Sequence, residues 1–278
     1  MTIDEIIDAA LKEDIGNGDH TSLSTIPSSA RGKARLLIKE AGIVCGIDVA
    51  IKVLNKVDPS LVVQRIRFDG DLVIPGDVAF TVEGSSISIL TAERLLLNFM
   101  QRMSGIATTT NRYVQELKGT KARLLDTRKT TPILRELEKY AVKIGGGVNH
   151  RFGLFDMILI KDNHIDFAGG IANAIKAVEA YLRSKDLNLK MEIEARTLDD
   201  VREILHYKDI HRIMLDNFSV SAMKEAVDLI NGSVETEASG GITLENLRAY
   251  AETGVDYISV GALTHHIKSL DMSLKAFN

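Results

Sequence analysis

A chain of 278 residues, 45% hydrophobic and 26% charged, has ample material for one large α/β domain or two smaller ones. A net charge of −4 gives no bulk indication of nucleic acid as a partner. The single cysteine, Cys45, excludes an intramolecular disulfide and a cysteine-based metal cluster.

The opening stretch MTIDEIIDAALKEDIG is acidic and amphipathic rather than basic and then apolar, so it does not read as a secretory signal. No apolar run approaches the ~20 residues needed to cross a bilayer, and a soluble cytoplasmic chain is expected. Asp4 to Lys12 reads as a helix with Ile6, Ile7, Ala10 and Leu11 on one side, broken by Gly16 and Gly18. Asp14, Asp19 and His20 flank those glycines, where undistinguished spacing favours a structural turn over a metal site. Lys33 to Ile38, Gly42 to Val44, Leu61 to Phe68 and Val78 to Glu83 read as strands separated by glycine and proline turns. Val49 to Val57 reads as an intervening helix. Thr91 to Tyr113 is a helix apolar nearly all round, hence buried in a core or an oligomer interface. Arg102 interrupts it, and reads equally as structural or as reaching an anionic ligand.

Past Thr120 the pattern becomes repetitive. Buried strands are expected at Ala122–Asp126, Asp156–Lys161, Leu189–Ala195, Arg212–Asp216, Val234–Ser239 and Tyr257–Gly261. Helices alternate with them: one from Pro132 to Ile144, then Gly170–Arg183, Leu198–His206, Ser219–Ile230 and Thr243–Glu252. Repeated βα units of this length form a parallel sheet, open or closed into a barrel, with function at the carboxyl ends of the strands. Those ends carry Arg128 and Lys129, Lys161, Glu194, Asp216 and Asn217, Ser239, and Gly261. His150 and Arg151 follow the glycine run Gly145–Gly147. A buried cation without a partner costs several kcal/mol, so the cluster Arg128, Lys129, His150, Arg151 and Lys161 points to a polyanion pocket. Alternation puts Glu192 with Glu194 on one face of their strand, and Glu235, Glu237 and Ser239 on one face of theirs. Glu194 and Asp216, at strand ends, suit Mg²⁺ or a developing positive charge, whereas Glu192 and Glu235 read as structural. Ser239-Gly240-Gly241-Ile242, opening into a helix at Thr243, has the character of a phosphate site, and Gly261 to His265 follows the next strand.

The blocks EDIGNGD, ERLLLNFMQRMSGIAT, DTRKTTP, LEKYAVKIGGGVNHRFGLFDMILIKDNHI, EIEA, IMLDNF, EASGGI and ISVGALTH span nearly the whole chain. In them the sequence resembles the quinolinate phosphoribosyltransferase family. The resemblance implies an α/β chain with an N-terminal α/β sandwich domain (residues 1–113) and a C-terminal incomplete, about seven-stranded α/β barrel (114–278), whose last helix packs back on the first domain. It also implies a homodimer or higher homo-oligomer sharing Arg102 across subunits, with no nucleic-acid or membrane partner. The implied reaction joins quinolinate to phosphoribosyl pyrophosphate with Mg²⁺ as cofactor, giving nicotinate mononucleotide, pyrophosphate and CO₂. On that pattern Arg102, Arg128, His150, Arg151 and Lys161 bind the two substrate carboxylates, and Lys129 holds the phosphate end of the cosubstrate. Glu194 and Asp216 face the ribose and Mg²⁺, while Ser239, Gly240, Gly241, Gly261 and His265 hold the ribose phosphate. Lys129, Lys161, Glu194 and Asp216 are the catalytic candidates. Ile133, where a glycine is common, and His266, where a small residue is usual, depart from the pattern. A paralogous phosphoribosyltransferase, a Schiff-base aldolase using Lys161 and a catalytically silent binding barrel are the alternatives.

Overall fold

The computed structural model describes residues 1–277 and divides them between two compact units. The first contains Met1–Arg112, Thr130–Gly146 and the segment from Leu263 onward; the second contains Tyr113–Lys129 and Gly147–Ala262.

The first unit begins with helix α1 (Ile3–Ile15), held at its start by a reciprocal capping box between Thr2 and Glu5. His20 opens a short helix, α2 (His20–Thr25), whose N-cap is Asp19: its carboxylate accepts the Ser22 N–H at 3.0 Å. An antiparallel sheet follows, with β1 (Arg31–Ile38) flanked by β5 (Val78–Ser85) and by the C-terminal strand β12 (Met272–Phe277), and with β3 (Val62–Arg65) on the far side of β5. The closing segment, expected as a helix, is thus a strand paired to β1, because Met272 and Leu274 alternate inward beside Ile38 and Leu36. A two-residue ladder joins β2 (Gly42–Ile43) to β4 (Leu72–Val73).

Helix α3 (Ile47–Val57) buries Ile47, Val49, Ala50, Val53 and Leu54, and the left-handed Gly46 at its start lies against Met100 and Met103. Those methionines belong to α4 (Ser86–Glu116), a 31-residue helix longer than the sequence pattern indicates. Leu96, Met100, Met103 and Ile106 along it are fully buried, as an apolar circumference requires. Helix α5 (Arg135–Ile144) starts later than Pro132, because Ile133 adopts a left-handed φ of 73° that no helix accommodates.

The second unit is a parallel sheet in the order β6 (Arg123–Leu125), β11 (Tyr257–Ser259), β10 (Glu235–Ser239), β9 (Arg212–Asp216), β8 (Met191–Ala195) and β7 (Ile158–Ile160). Val148 adds one parallel bridge to Leu125, so the incomplete barrel has six strands and a seventh position reduced to a single residue. Helices α7 (Ile171–Lys185), α8 (Leu198–Ile204) and α9 (Val220–Ile230) alternate with the strands, and α6 (Asp162–Ala168), unmarked in the sequence reading, follows β7 directly. Ser219 caps α9 as expected by accepting the Ala222 N–H at 3.2 Å. The expected helix at Thr243 is corrected: residues 244–246 form a turn, and α10 spans only Leu247–Ala251. The Ser239–Ile242 loop therefore gains nothing from a helix N-terminus. Among the described residues no helix is long and apolar enough to cross a membrane.

Candidate active site

Parallel register stacks the ionic residues of neighbouring strands on one face. Glu192 lies level with Arg212, and Arg212 with Glu235; one step further along, Glu194 lies level with Met214 and Met214 with Glu237. The opposite face of the same strands carries Ile193, Ile213, Leu215, Ala238 and Ile258, all fully buried. One side of the sheet is hydrocarbon, and the other is a charged interior.

Within that interior Arg212 is the hub. Its guanidinium reaches Glu237 at 3.1 Å, Glu235 at 2.9 Å and Glu192 at 4.0 Å, and lies 4.0 Å from the centroid of the Tyr257 ring. His150 completes the network, with Nε2 at 3.0 Å from Glu192 and 3.3 Å from Glu237. The buried Asp126 carboxylate fixes His150 in place by accepting its N–H at 2.8 Å and the Asn149 side-chain amide at 2.6 Å. Burial lowers the His150 pKa, but the two glutamates outweigh it and push the ring up to about 9. The Arg151 peptide N–H, 2.7 Å from Nδ1, favours the neutral ring instead. Two buried carboxylates prevail over one neutral hydrogen bond, and in either state Nε2–H faces them. Burial, then Glu237, pushes Glu192 up to about 7, while His150 and Arg212 overcome burial and hold Glu237 below the usual carboxylate range. His150, Glu192 and Glu237 are close enough to hold a metal ion. Arg212 already supplies positive charge there, so the cluster fits an internal ion-pair network better than a cation site.

Above this layer, a cavity of about 620 Å³ opens at the carboxyl ends of the strands. Arg128, Lys129, Arg151 and Lys161 contribute to its lining, as do Asp216, Asn217, Ser239 and Gly240, with His150 and Glu237 also reaching it. Lys161 donates to Glu194 at 3.2 Å, a carboxylate that is 4% exposed. Burial raises the Glu194 pKa; Lys161 opposes the rise and Asp216 adds to it. Arg151 is pulled below its ordinary value by burial and by the neighbouring Arg128, the mark of two cations facing one volume. Its guanidinium also donates to the Met157 carbonyl at 3.1 Å.

Eleven of the sequence candidates thus fall in the second unit: Arg128, Lys129, His150, Arg151, Lys161, Asp216, Ser239 and Gly240 on the cavity wall, and Glu194, Gly241 and Gly261 outside its lining. Gly240 and Gly241 both have left-handed φ, 89° and 62°, which an L side chain would strain. Arg102 and His265 belong to the first unit. There Arg102 donates to Glu138 at 2.8 and 2.6 Å and to Thr131 Oγ1 at 2.7 Å, and Glu138, 1% exposed, also accepts the Thr131 N–H at 3.1 Å. Sequence reasoning did not single out Arg212, Asp126 or Glu138. For Arg212 and Asp126 the signal was a charge at the end of an apolar, strand-like stretch, which demands a partner without naming it; Glu138, in a charge-rich helical segment, carried no such signal.

Family models of the quinolinate phosphoribosyl transferase N-terminal domain and C-terminal domain match residues 19–104 and 106–275. A chloroplastic nicotinate-nucleotide pyrophosphorylase [carboxylating] of Arabidopsis thaliana is 50% identical over 97% of this chain and 81% of its own length. The enzyme of that name from Mycobacterium leprae is 43% identical over 97% of this chain and 95% of its own. Among solved structures, NadC from Streptococcus pyogenes superposes with a TM-score of 0.94 at 38% identity, covering 99% of this chain and 97% of that one.

Proposed function

The chain belongs to the quinolinate phosphoribosyltransferase family, and from that premise we propose how its side chains carry out the reaction. The enzyme transfers phosphoribosyl from phosphoribosyl pyrophosphate to quinolinate with decarboxylation, giving nicotinate mononucleotide, pyrophosphate and CO₂. Arg128, Arg151 and Lys161 hold the adjacent carboxylates of the pyridine, each charge-assisted hydrogen bond contributing about 1.5–3 kcal/mol. His150, whose Nε2 lies 3.0 Å from Glu192 and 3.3 Å from Glu237, keeps the ionic layer beneath this clamp balanced. Lys129 serves the pyrophosphate, and the turn Ser239-Gly240-Gly241 with Gly261 presents backbone N–H groups to the ribose phosphate.

Glu194 and Asp216 stabilise positive charge at the sugar as pyrophosphate leaves and the ring nitrogen bonds to its anomeric carbon. Asp216 on the cavity wall and Glu194 near the end of the neighbouring strand would hold Mg²⁺, with phosphate and water oxygens to complete the shell. The ion would supply charge neutralisation for the leaving pyrophosphate. Once attached, the cationic pyridinium nitrogen stabilises the electron pair left on the neighbouring carbon by loss of CO₂, and a solvent proton then bonds to that pair in place of the carboxylate. No base or covalent nucleophile is needed. We further infer a cytoplasmic homodimer or higher homo-oligomer in which Arg102, braced by Glu138, is shared with the neighbouring subunit, and in which His265 serves the ribose phosphate.

The observation that supports this reading most directly is one cavity at the strand ends with Arg128, Lys129, Arg151 and Lys161 beside Asp216 and a glycine turn. The test is a coupled assay with quinolinate, phosphoribosyl pyrophosphate and Mg²⁺, with nicotinate as control acid. Quinolinate-dependent CO₂ release is expected, and turnover of nicotinate without quinolinate would refute the assignment.

A further inference from the structure

Asn217 stands next to the carboxylate that closes β9 and has a left-handed φ of 56°, one of four non-glycine residues with positive φ among those described. The backbone N–H, the side-chain N–H and the side-chain oxygen of Asn217 each meet a different feature of the site. Its backbone N–H donates to the Ser239 carbonyl at 2.9 Å, tying the end of β9 to the end of β10. Its side-chain amide donates to Asp216 Oδ2 at 2.5 Å. A carboxylate only accepts, so Nδ2 must face Asp216 and Oδ1 is left on the other side. That oxygen lies under Gly240: a Cβ built on Gly240 would collide with Asn217 Oδ1 and come within 2.9 Å of the Asn217 backbone N. Asn217 also lines the 620 Å³ cavity.

We propose that Asn217 is a positioning residue for the phosphoribosyl half of the site, aiming the Asp216 carboxylate with its amide N–H while its body supports the Gly240 turn from beneath. The inference rests on the phosphoribosyl transfer proposed above and deepens it by naming what couples the acidic sugar contact to the phosphate turn. An asparagine meets both demands because it tolerates left-handed φ and carries a donor and an acceptor on one short side chain. Aspartate shares the shape and the backbone tolerance but lacks the donor, and would set a second carboxylate against Asp216. Glycine keeps the backbone conformation and loses the side chain.

The test compares Asn217→Asp and Asn217→Gly with the wild-type enzyme. Calorimetry measures the Kd for phosphoribosyl pyrophosphate with Mg²⁺ present and quinolinate absent; kinetics give KM for each substrate, and thermal melting reports the fold. Loss of a charge-assisted hydrogen bond should raise the Kd and KM for phosphoribosyl pyrophosphate about tenfold or more in both variants. KM for quinolinate should stay within about twofold and the melting midpoint within about 3 °C, as for an exposed substitution. An Asn217→Asp enzyme that binds like wild type would overturn the proposal, because only the turn geometry would then matter. Equal weakening of both substrates with a lowered midpoint would overturn it too, as the mark of a structural role. If the wild type released no CO₂ from quinolinate, the functional reading would fall while the binding comparison still decided the role of Asn217.

Discussion

Replacing Arg212 with methionine removes the cation around which the barrel interior is arranged while preserving most of the side-chain volume. Glu237 and Glu192 are fully buried, and the variant leaves them His150 as the cation in direct contact, a sum of −1 for the three groups if both carboxylates ionise. Breaking a buried pair by deleting one partner costs about 3–5 kcal/mol. The lost contact with the Tyr257 ring adds about 0.5–2 kcal/mol. Partial neutralisation of Glu192 returns some of this, so a net loss of about 3–5 kcal/mol is the working figure. In a chain of this size that lowers the melting midpoint by roughly 6–20 °C. The pH dependence carries the diagnosis. Glu192 titrates in the folded state at about 7, above its ordinary 4.5, so its contribution to stability is present below the unfolded value and fades as pH rises through 7. Arg212 is one of the groups that restrain this rise, and its removal carries Glu192 higher still. The deficit of the variant should therefore be larger near about pH 8 than near about pH 6, measured by urea unfolding at each pH. A loss below about 1 kcal/mol at the higher pH, or one equal at both, would refute the view that Arg212 is there to balance buried charge.

Lys161→Ala and Arg128→Ala should each lower quinolinate turnover by about 100-fold or more while the circular dichroism spectrum stays unchanged. Lys161 is half exposed while its partner Glu194 is buried, so urea unfolding of Lys161→Ala reads any cost of leaving Glu194 unpaired separately from the loss of turnover. Asp69→Ala should destabilise the protein by about 1–3 kcal/mol in urea unfolding, because the carboxylate accepts the Gly46 and Ile47 N–H groups at the start of α3 and the Tyr140 hydroxyl. An unchanged unfolding midpoint would contradict that assignment. Ile133→Gly should leave stability unchanged or raise it by up to about 1 kcal/mol, since relief of a β-branched residue at φ 73° offsets the added freedom of glycine. Ile133 is 64% exposed, so a clear fall in the melting temperature would mean that its side chain makes contacts worth more than the strain.

Local pattern was enough for much of this molecule. Alternating apolar strands and amphipathic helices after Thr120 pointed to a parallel α/β sheet, open or closed into a barrel, because each element must bury one face. Cations and carboxylates at strand ends, together with Gly240, drew attention to the rim where the cavity opens, since such groups are costly anywhere except at a solvated rim or against a partner. Element edges were less legible. Thr243 looked like a helix start, yet the turn at 244–246 delays α10 to Leu247; Pro132 looked like another, yet the left-handed Ile133 delays α5. Both signals are local, and backbone geometry set by neighbouring segments overrode them.

The pairing of charges belongs wholly to tertiary structure. Nothing in the chain order tells that Glu192 faces His150 while Glu194, two residues on, takes Lys161, or that Arg212 bridges Glu235 and Glu237. Strand register decides which residues lie level, and Asp126 decides where His150 points. A residue type carries its charge wherever it is placed; the partner that makes burial tolerable is supplied by strands distant in sequence.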